Sequence, residues 1–259
     1  FCSILLLLLS YLGVAAYIYS IQKKLLFPGA FKAPYSRQTQ SVHGLAYIKQ
    51  YALETGPLAD KPLCAVFFHG NAENFSDVSK YTDWLTSLGI STYVLGYPGY
   101  NSDPSTPSLE ELLKYSSKFV EWVISNEALS CENLILFGNS LGTGLAIHEA
   151  RKYPGCILLL VSPYLSISKA AKSRPFLSLF SWVLKGDLVS EDLIKQIVPR
   201  ICIVAHSTFD KIIPIEHGRI ISNSIANAEL IVTDNQKHGS TFDAAKNNIA
   251  KRLMELVLQ

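Results

Sequence analysis

Asn133-Leu134-Ile135-Leu136-Phe137-Gly138-Asn139-Ser140-Leu141-Gly142-Thr143-Gly144 decides how the rest of the chain is read. Leu134 to Phe137 is a short apolar run suited to a strand buried on both faces. Gly138 to Gly142 then fits G-x-S-x-G, ahead of a segment of helical period from Leu141 to about Lys152. A serine at the tip of a strand-to-helix turn sits in strained backbone, and glycines two residues to either side let strand and helix approach closely. Ser140 so placed lies at the positive end of the helix dipole, beside the free N–H of Leu141, where negative charge is stabilised.

Outward from this turn, strands and helices alternate. Residues 41–53 read as one or two edge strands, and Leu63 to Phe68 as a central strand running into His69-Gly70-Asn71-Ala72. Residues 76–88 form the next helix, and Ser91 to Leu95 a strand opening into Gly96-Tyr97-Pro98-Gly99-Tyr100-Asn101-Ser102. A capping-box start at Ser108-Leu109-Glu110-Glu111 begins the helix that precedes the Ser140 strand. Further strands are expected at 156–161, 201–205 and 230–232, with helices at 216–226 and from about Phe242. Ser166 to Lys185 reads as helical, interrupted by Pro175, and either packs on the sheet or forms a small cap. This order predicts an α/β fold: a mainly parallel central sheet with helices on both faces, right-handed crossovers and at most a small cap.

The 259 residues suit one such domain. Lys and Arg number 23 against 21 Asp and Glu, without runs of like charge, which argues against a nucleic-acid surface. Cys2, Cys64, Cys131, Cys156 and Cys202 include no C-x-x-C pair, and most lie in or beside apolar strands. Buried reduced thiols are expected, with neither a disulfide framework nor a metal site. No phosphate-binding glycine loop occurs, so no cofactor is expected.

Residues 1–22 carry no charge, and Lys23-Lys24 follow. About twenty apolar residues in a helix match a bilayer core of about 30 Å, and the tyrosines before the lysines suit an interface. Residues 1–24 are therefore expected to be an N-terminal membrane anchor, with a cleaved signal as the alternative. Residues 25–40 are expected to be a linker and 41–259 the catalytic domain. The two lysines alone would put that domain on the cytoplasmic side; the side of the membrane and the oligomeric state stay open.

Ligands of a doubly wound sheet bind at the carboxyl ends of its strands, where Ser140, Asp210 and His238 are expected. Their chain order, Ser then Asp then His, is that of an α/β-hydrolase. Ser140 is the expected nucleophile, His238 the base that takes its proton, and Asp210 the group that fixes the imidazole. The N–H groups of Leu141 and Asn71 are the expected oxyanion donors. His206 is a competing base, but it precedes the acid in the chain and leaves His238-Gly239 without a role. Asp187 and Asp192 are competing acids in the helical region, and His43, His148 and His217 read as surface or helix residues. His69 is expected to shape the loop before the oxyanion donor.

Together, Phe67 to Asn74 (FFHGNAEN), Gly96 to Ser102 (GYPGYNS), Leu136 to Gly144 (LFGNSLGTG), Val161 to Ile167 (VSPYLSI), Asp210 to Pro214 (DKIIP) and Lys237 to Gly239 (KHG) resemble a known group. These are the membrane-anchored α/β-hydrolase-domain proteins, lysophospholipase-like and depalmitoylase-like, also labelled serine aminopeptidase-like. The resemblance implies a Ser-His-Asp hydrolase of esters or thioesters, with Ser140, Asp210 and His238 at the matching positions. It departs at Gly96, where aspartate is common, and at Asn101 and Ser207, where glycine is common. The expected partners are an acyl ester or thioester, small or lipid, and the membrane itself, with no nucleic acid. A peptidase on the same triad, or a silent hydrolase fold used for binding, are the alternatives.

Overall fold

The computed structural model describes residues 2–33, 35, 39–174, 178–179, 181–183 and 186–259. Among the described residues an eight-stranded sheet runs in the order β1-β2-β4-β3-β5-β6-β7-β8. Its strands are β1 (Gln40–Val42), β2 (Leu45–Gln50), β3 (Cys64–Phe68), β4 (Ser91–Leu95), β5 (Leu134–Asn139), β6 (Ile157–Val161), β7 (Ile201–Ser207) and β8 (Ala228–Thr233). β1 and β2 pair antiparallel at one edge, and every pairing from β4 to β8 is parallel. This is the mainly parallel α/β sheet that the alternation of elements predicts, and the α/β-hydrolase fold that the order of Ser140, Asp210 and His238 implies.

The near-continuous apolar runs of β3, β5, β6 and β7 have a structural reason: each strand feeds two cores. Val66, Phe68, Leu134, Leu136, Leu158, Leu160, Cys202 and Val204 point to one face. There they meet α3 (Leu109–Glu127), α4 (Leu141–Ala150) and α6 (Ile215–Ser224) through Phe119, Leu145 and Ile221. The alternate residues Ala65, Phe67, Ile135, Phe137, Leu159 and Ile203 meet α2 (Ser79–Ser87) and α7 (Thr241–Val257) through Tyr81, Leu85, Phe242 and Leu253. The period-two geometry of a strand makes this division, and burial on both faces removes the need for polar alternation.

Boundaries move where side chains compete with the backbone. α2 starts three residues later than its pattern suggests, because Asn74 Oδ1 accepts the N–H of Ser76 and Asp77 Oδ2 that of Asn74. These turns consume the donors that a helix start would otherwise leave free. α3 opens as expected, Ser108 Oγ accepting the N–H of Glu111. Of the stretch from Ser166 to Lys185, expected to be helical with an interruption at Pro175, the described residues include α5 (Ile167–Lys172) and a 3-10 turn at Ser181–Val183. Pro175 disfavours helical backbone in the residue before it. Phe176, Leu177 and Phe180, offered as cap residues, lie outside the described residues.

Cys64, Cys156 and Cys202 are buried and reduced, and burial pushes each thiol up to about 12. All three are expected to resist a thiol-reactive dye at pH 8 in the native protein and to react after denaturation. Rapid native labelling of any of them, mapped by mass spectrometry, would contradict this burial.

At the N-terminus α1 (Cys2–Leu26) is long and apolar enough to cross a membrane. The expected linker is not a free connection where it begins. Phe27 is buried in the main core, and the 3-10 turn Pro28–Phe31 packs against the loop after β3, the Gly29 N–H donating to Asn71 O at 2.9 Å.

Candidate active site

β5 delivers Ser140 at a turn with φ 50° and ψ −117°, a left-handed backbone that costs free energy for a serine. The Ser140 N–H is fixed by Val161 O of the neighbouring strand at 2.9 Å. Glycine is needed on both sides because the elbow leaves no space. A Cβ on Gly142 would stand 1.9 Å from Phe68 O, and one on Gly138 2.5 Å from Thr143 Cα.

Asp210 follows β7 in a turn that it closes itself, Oδ1 accepting the N–H groups of Ile212 and Ile213, each at 2.9 Å. That leaves Oδ2 for His238, whose Nδ1 lies 2.7 Å away. A carboxylate only accepts, so Nδ1 carries the proton and Nε2 of the neutral ring is the acceptor. His238 Nε2 lies 2.8 Å from Ser140 Oγ, so the hydroxyl donates to the imidazole. The structure thus brings Ser140, His238 and Asp210 into one continuous relay. Burial pushes the Asp210 carboxyl up, but the adjoining His206 ring, the hydrogen bond and charge of His238 and the Ile213 N–H outweigh it and hold the group well below the usual carboxylate range.

The competing residues lie elsewhere. His206 is fully buried behind the acid: Nε2 donates to Ile213 O at 2.8 Å and stands 3.5 Å from Asp210 Oδ2. Asp187 and Asp192 are exposed, and Asp187 accepts the Ser168 N–H at the start of α5. His43 is exposed and His148 half-buried on α4, whereas His217 is buried on α6, where Nδ1 accepts the Leu165 N–H.

Asn71 and Leu141, the expected oxyanion donors, line the same cavity as Ser140 and His238. Leu141 opens α4, where N–H groups lack an intrahelical acceptor. Gly70 O accepts from His69 Nδ1 at 2.9 Å and from the Glu73 N–H at 3.1 Å. In a planar trans peptide the N–H of Asn71 therefore points the opposite way, away from both. Tyr97 and Tyr100, from the loop after β4, donate their hydroxyls to His69 O and Asn71 O, both at 2.8 Å. The His69 ring stacks on Tyr97 at 3.9 Å between centroids, and its burial holds the imidazole below its usual range.

Sequence reasoning missed Glu73. Its Oε2 accepts the Gly70 N–H at 2.6 Å and Asn139 Nδ2 at 3.0 Å, while Oε1 accepts the Tyr81 hydroxyl at 2.7 Å. One carboxylate thereby fastens the Asn71 loop to the residue before Ser140. Glu73→Ala is expected to lower kcat on p-nitrophenyl acetate about 10²-fold with KM little changed, the effect of misplacing a group by about 1 Å. Equal losses in kcat and in folded protein on a calorimetric scan would reduce Glu73 to a structural role.

The departures from the family pattern also have structural roles. Asn101 takes φ 53°, a left-handed backbone that asparagine tolerates, and its Oδ1 accepts the Phe75 N–H at 3.0 Å. Ser207 Oγ donates to Gln236 O at 2.7 Å and accepts the N–H groups of Gln236 and Phe209. This hydroxyl ties the loop of Asp210 to the loop of His238.

Above the relay is a cavity of about 420 Å³, within the range of small-molecule sites. Its walls are mainly apolar, with Leu26, Tyr164, Ile167 and Ile213 among them, and Arg174 also borders it.

The serine aminopeptidase, S33, family matches residues 61–197. The chain is 30% identical over 196 residues to an uncharacterized protein of Acanthamoeba polyphaga mimivirus, covering 67% of this chain and 66% of that one. It is 28% identical over 191 residues to lysophosphatidylserine lipase ABHD12 of Mus musculus, covering 65% and 47%. Among these curated relatives the chain spans about half to two thirds of their length. Solved structures of similar fold include Est1E of Butyrivibrio proteoclasticus with ferulic acid bound, at TM-score 0.63, 13% identity and coverage of 86% and 98%. The Paleococcus ferrophilus monoacylglycerol lipase superposes at TM-score 0.58, 18% identity and coverage of 82% and 98%. With a family match over more than half its length and the sheet order of that fold, the chain belongs to the serine aminopeptidase, S33, family of α/β serine hydrolases.

Proposed function

We propose that this chain is a membrane-anchored serine hydrolase that cleaves an ester or thioester of an apolar acyl chain. The observation that carries the reading is a Ser-His-Asp relay, with contacts of 2.8 and 2.7 Å, at the base of a mainly apolar cavity. Ser140 Oγ attacks the acyl carbonyl carbon while His238 Nε2 takes its proton, and the charge on the carbonyl oxygen is held by the N–H groups of Leu141 and Asn71. His238 then gives that proton to the leaving alcohol or thiol. The acyl group stays on Ser140 until water, deprotonated by the same imidazole, releases it as the acid. Asp210 keeps the proton on Nδ1 and stabilises the imidazolium through both steps. Residues 1–24 anchor the enzyme, and residues 41–259 carry the catalysis.

The ABHD12 relative is named a lysophosphatidylserine lipase and the Paleococcus structure a monoacylglycerol lipase, and both names favour lipid esters. The family's peptidase label fits less well. Among the described residues lining the cavity none is a carboxylate, and Arg174 would repel a free α-amino group. Turnover of p-nitrophenyl esters of graded chain length is expected, with little or none of leucine p-nitroanilide. The reverse preference would replace the esterase with the peptidase, and inertness toward both would favour the silent-fold alternative.

A further inference from the structure

The cavity has an unexpected wall. Ile18, Leu25, Leu26 and Phe27, from the expected anchor and its junction, line it together with Tyr164 and Ile167. Along α1, Tyr11, Ala15, Ile18, Gln22 and Leu25 recur every four and three residues, which places them on one side of a helix. Ala15, Ile18 and Gln22 are 4–5% exposed, whereas Ile4 and Leu7 are above 70%. The middle of α1 is thus covered on one side, where Ala15 and Ile18 cluster with Tyr11 and the helix meets the 3-10 turn Ser181–Val183, while Leu25, which also borders the cavity, is 49% exposed.

Both ends of this contact are fixed. At the near end the Gly29 N–H donates to Asn71 O at 2.9 Å, so the chain leaving α1 grips the loop of the expected oxyanion donor. At the far end the Tyr11 hydroxyl donates to Leu179 O and accepts from Trp182 Nε1, each at 2.8 Å. Leu179 and Trp182 are themselves exposed, and they add to the exposed apolar surface of α1 beside Tyr11. A contiguous exposed apolar surface of this kind suits contact with lipid.

We propose that α1 is a wall of the acyl site as well as an anchor. The acyl chain of the Ser140 ester lies against the Ile18–Leu25 face, and Ile18 limits its length. The chain enters sideways from the lipid that surrounds α1, without its methylenes crossing water. This assignment rests on the acyl-hydrolase reading above and deepens it.

The test uses the full chain in detergent micelles with p-nitrophenyl acetate, octanoate and palmitate. Ile18→Trp is expected to lower kcat/KM for palmitate about tenfold or more, the scale of an apolar pocket losing room, while acetate turnover stays near wild type. Ile18→Ala is expected to move the optimum to longer chains. Leu7→Trp, on the lipid side of α1, is expected to leave the profile unchanged. If Ile18→Trp loses acetate turnover as well, Ile18→Ala decides: a shift toward longer chains upholds the assignment and an unchanged profile overturns it. A wild type active on esters whose Ile18 variants keep its chain-length profile removes α1 from the site and leaves the hydrolase reading intact. A wild type inert toward every ester removes both.

Discussion

Ser140→Ala is expected to reduce kcat on p-nitrophenyl octanoate by on the order of 10⁴–10⁶-fold while leaving the melting temperature at or above that of the wild type. The hydroxyl is the atom that would form the acyl bond, and no neighbour replaces it: His238 Nε2 accepts from Ser140 Oγ directly. Relief of the left-handed serine backbone is not involved, since alanine inherits the same φ. What alanine removes is a hydroxyl in a buried turn, with His238 the partner left behind. Stopped-flow measurement of nitrophenol release would separate acylation from deacylation. A burst persisting in the variant would mean that another group is acylated.

Asp210→Asn is the second large effect, about 10⁴-fold in kcat. An amide placed with its NH₂ toward His238 can accept nothing from Nδ1–H, so the imidazole is driven to the tautomer that protonates Nε2, and the base for Ser140 is lost. His206 lies 3.5 Å from the same carboxylate oxygen and donates to Ile213 O, so it holds the site's shape without restoring the base. The substitution has a signature in stability as well. The Asp210 carboxyl is held below its unfolded value of about 3.9, so its contribution is complete above that pH and is lost as pH falls further. Urea midpoints measured between pH 5 and pH 2 should therefore fall more steeply for wild type than for Asp210→Asn. Parallel acid limbs would mean that Asp210 is not held in this way.

The parts of the fold legible in the sequence are those set by local rules. β3, β5, β6 and β7 announce themselves as apolar runs because both faces are covered, and Ser140 because its turn demands two glycines. Asp210 and His238 are readable from their places after β7 and β8, since ligands of such sheets gather at strand ends. Glu73 was not readable: its partners Gly70, Tyr81 and Asn139 come from separate elements, and a glutamate in a polar loop reads as solvated. Ser207 was hidden likewise, because its link to Gln236 crosses from β7 to the loop after β8. The face of α1 was invisible for the opposite reason. A helix apolar all round has no period, so only the tertiary structure distinguishes Ile18, which meets the cavity, from Leu7, which does not. The end of α5 at Lys172 was half-visible in Pro175, where the sequence reading interrupts the helix.

The most direct test of the Ser140–His238–Asp210 account is covalent: the purified chain, its Ser140→Ala variant and its His238→Ala variant are treated with a fluorophosphonate and mapped by tryptic mass spectrometry. The account predicts a single phosphonyl adduct on Ser140 in the wild type, formed far more slowly without His238 and absent without the hydroxyl. An adduct on a different residue, or equal labelling of Ser140 with and without His238, would contradict it.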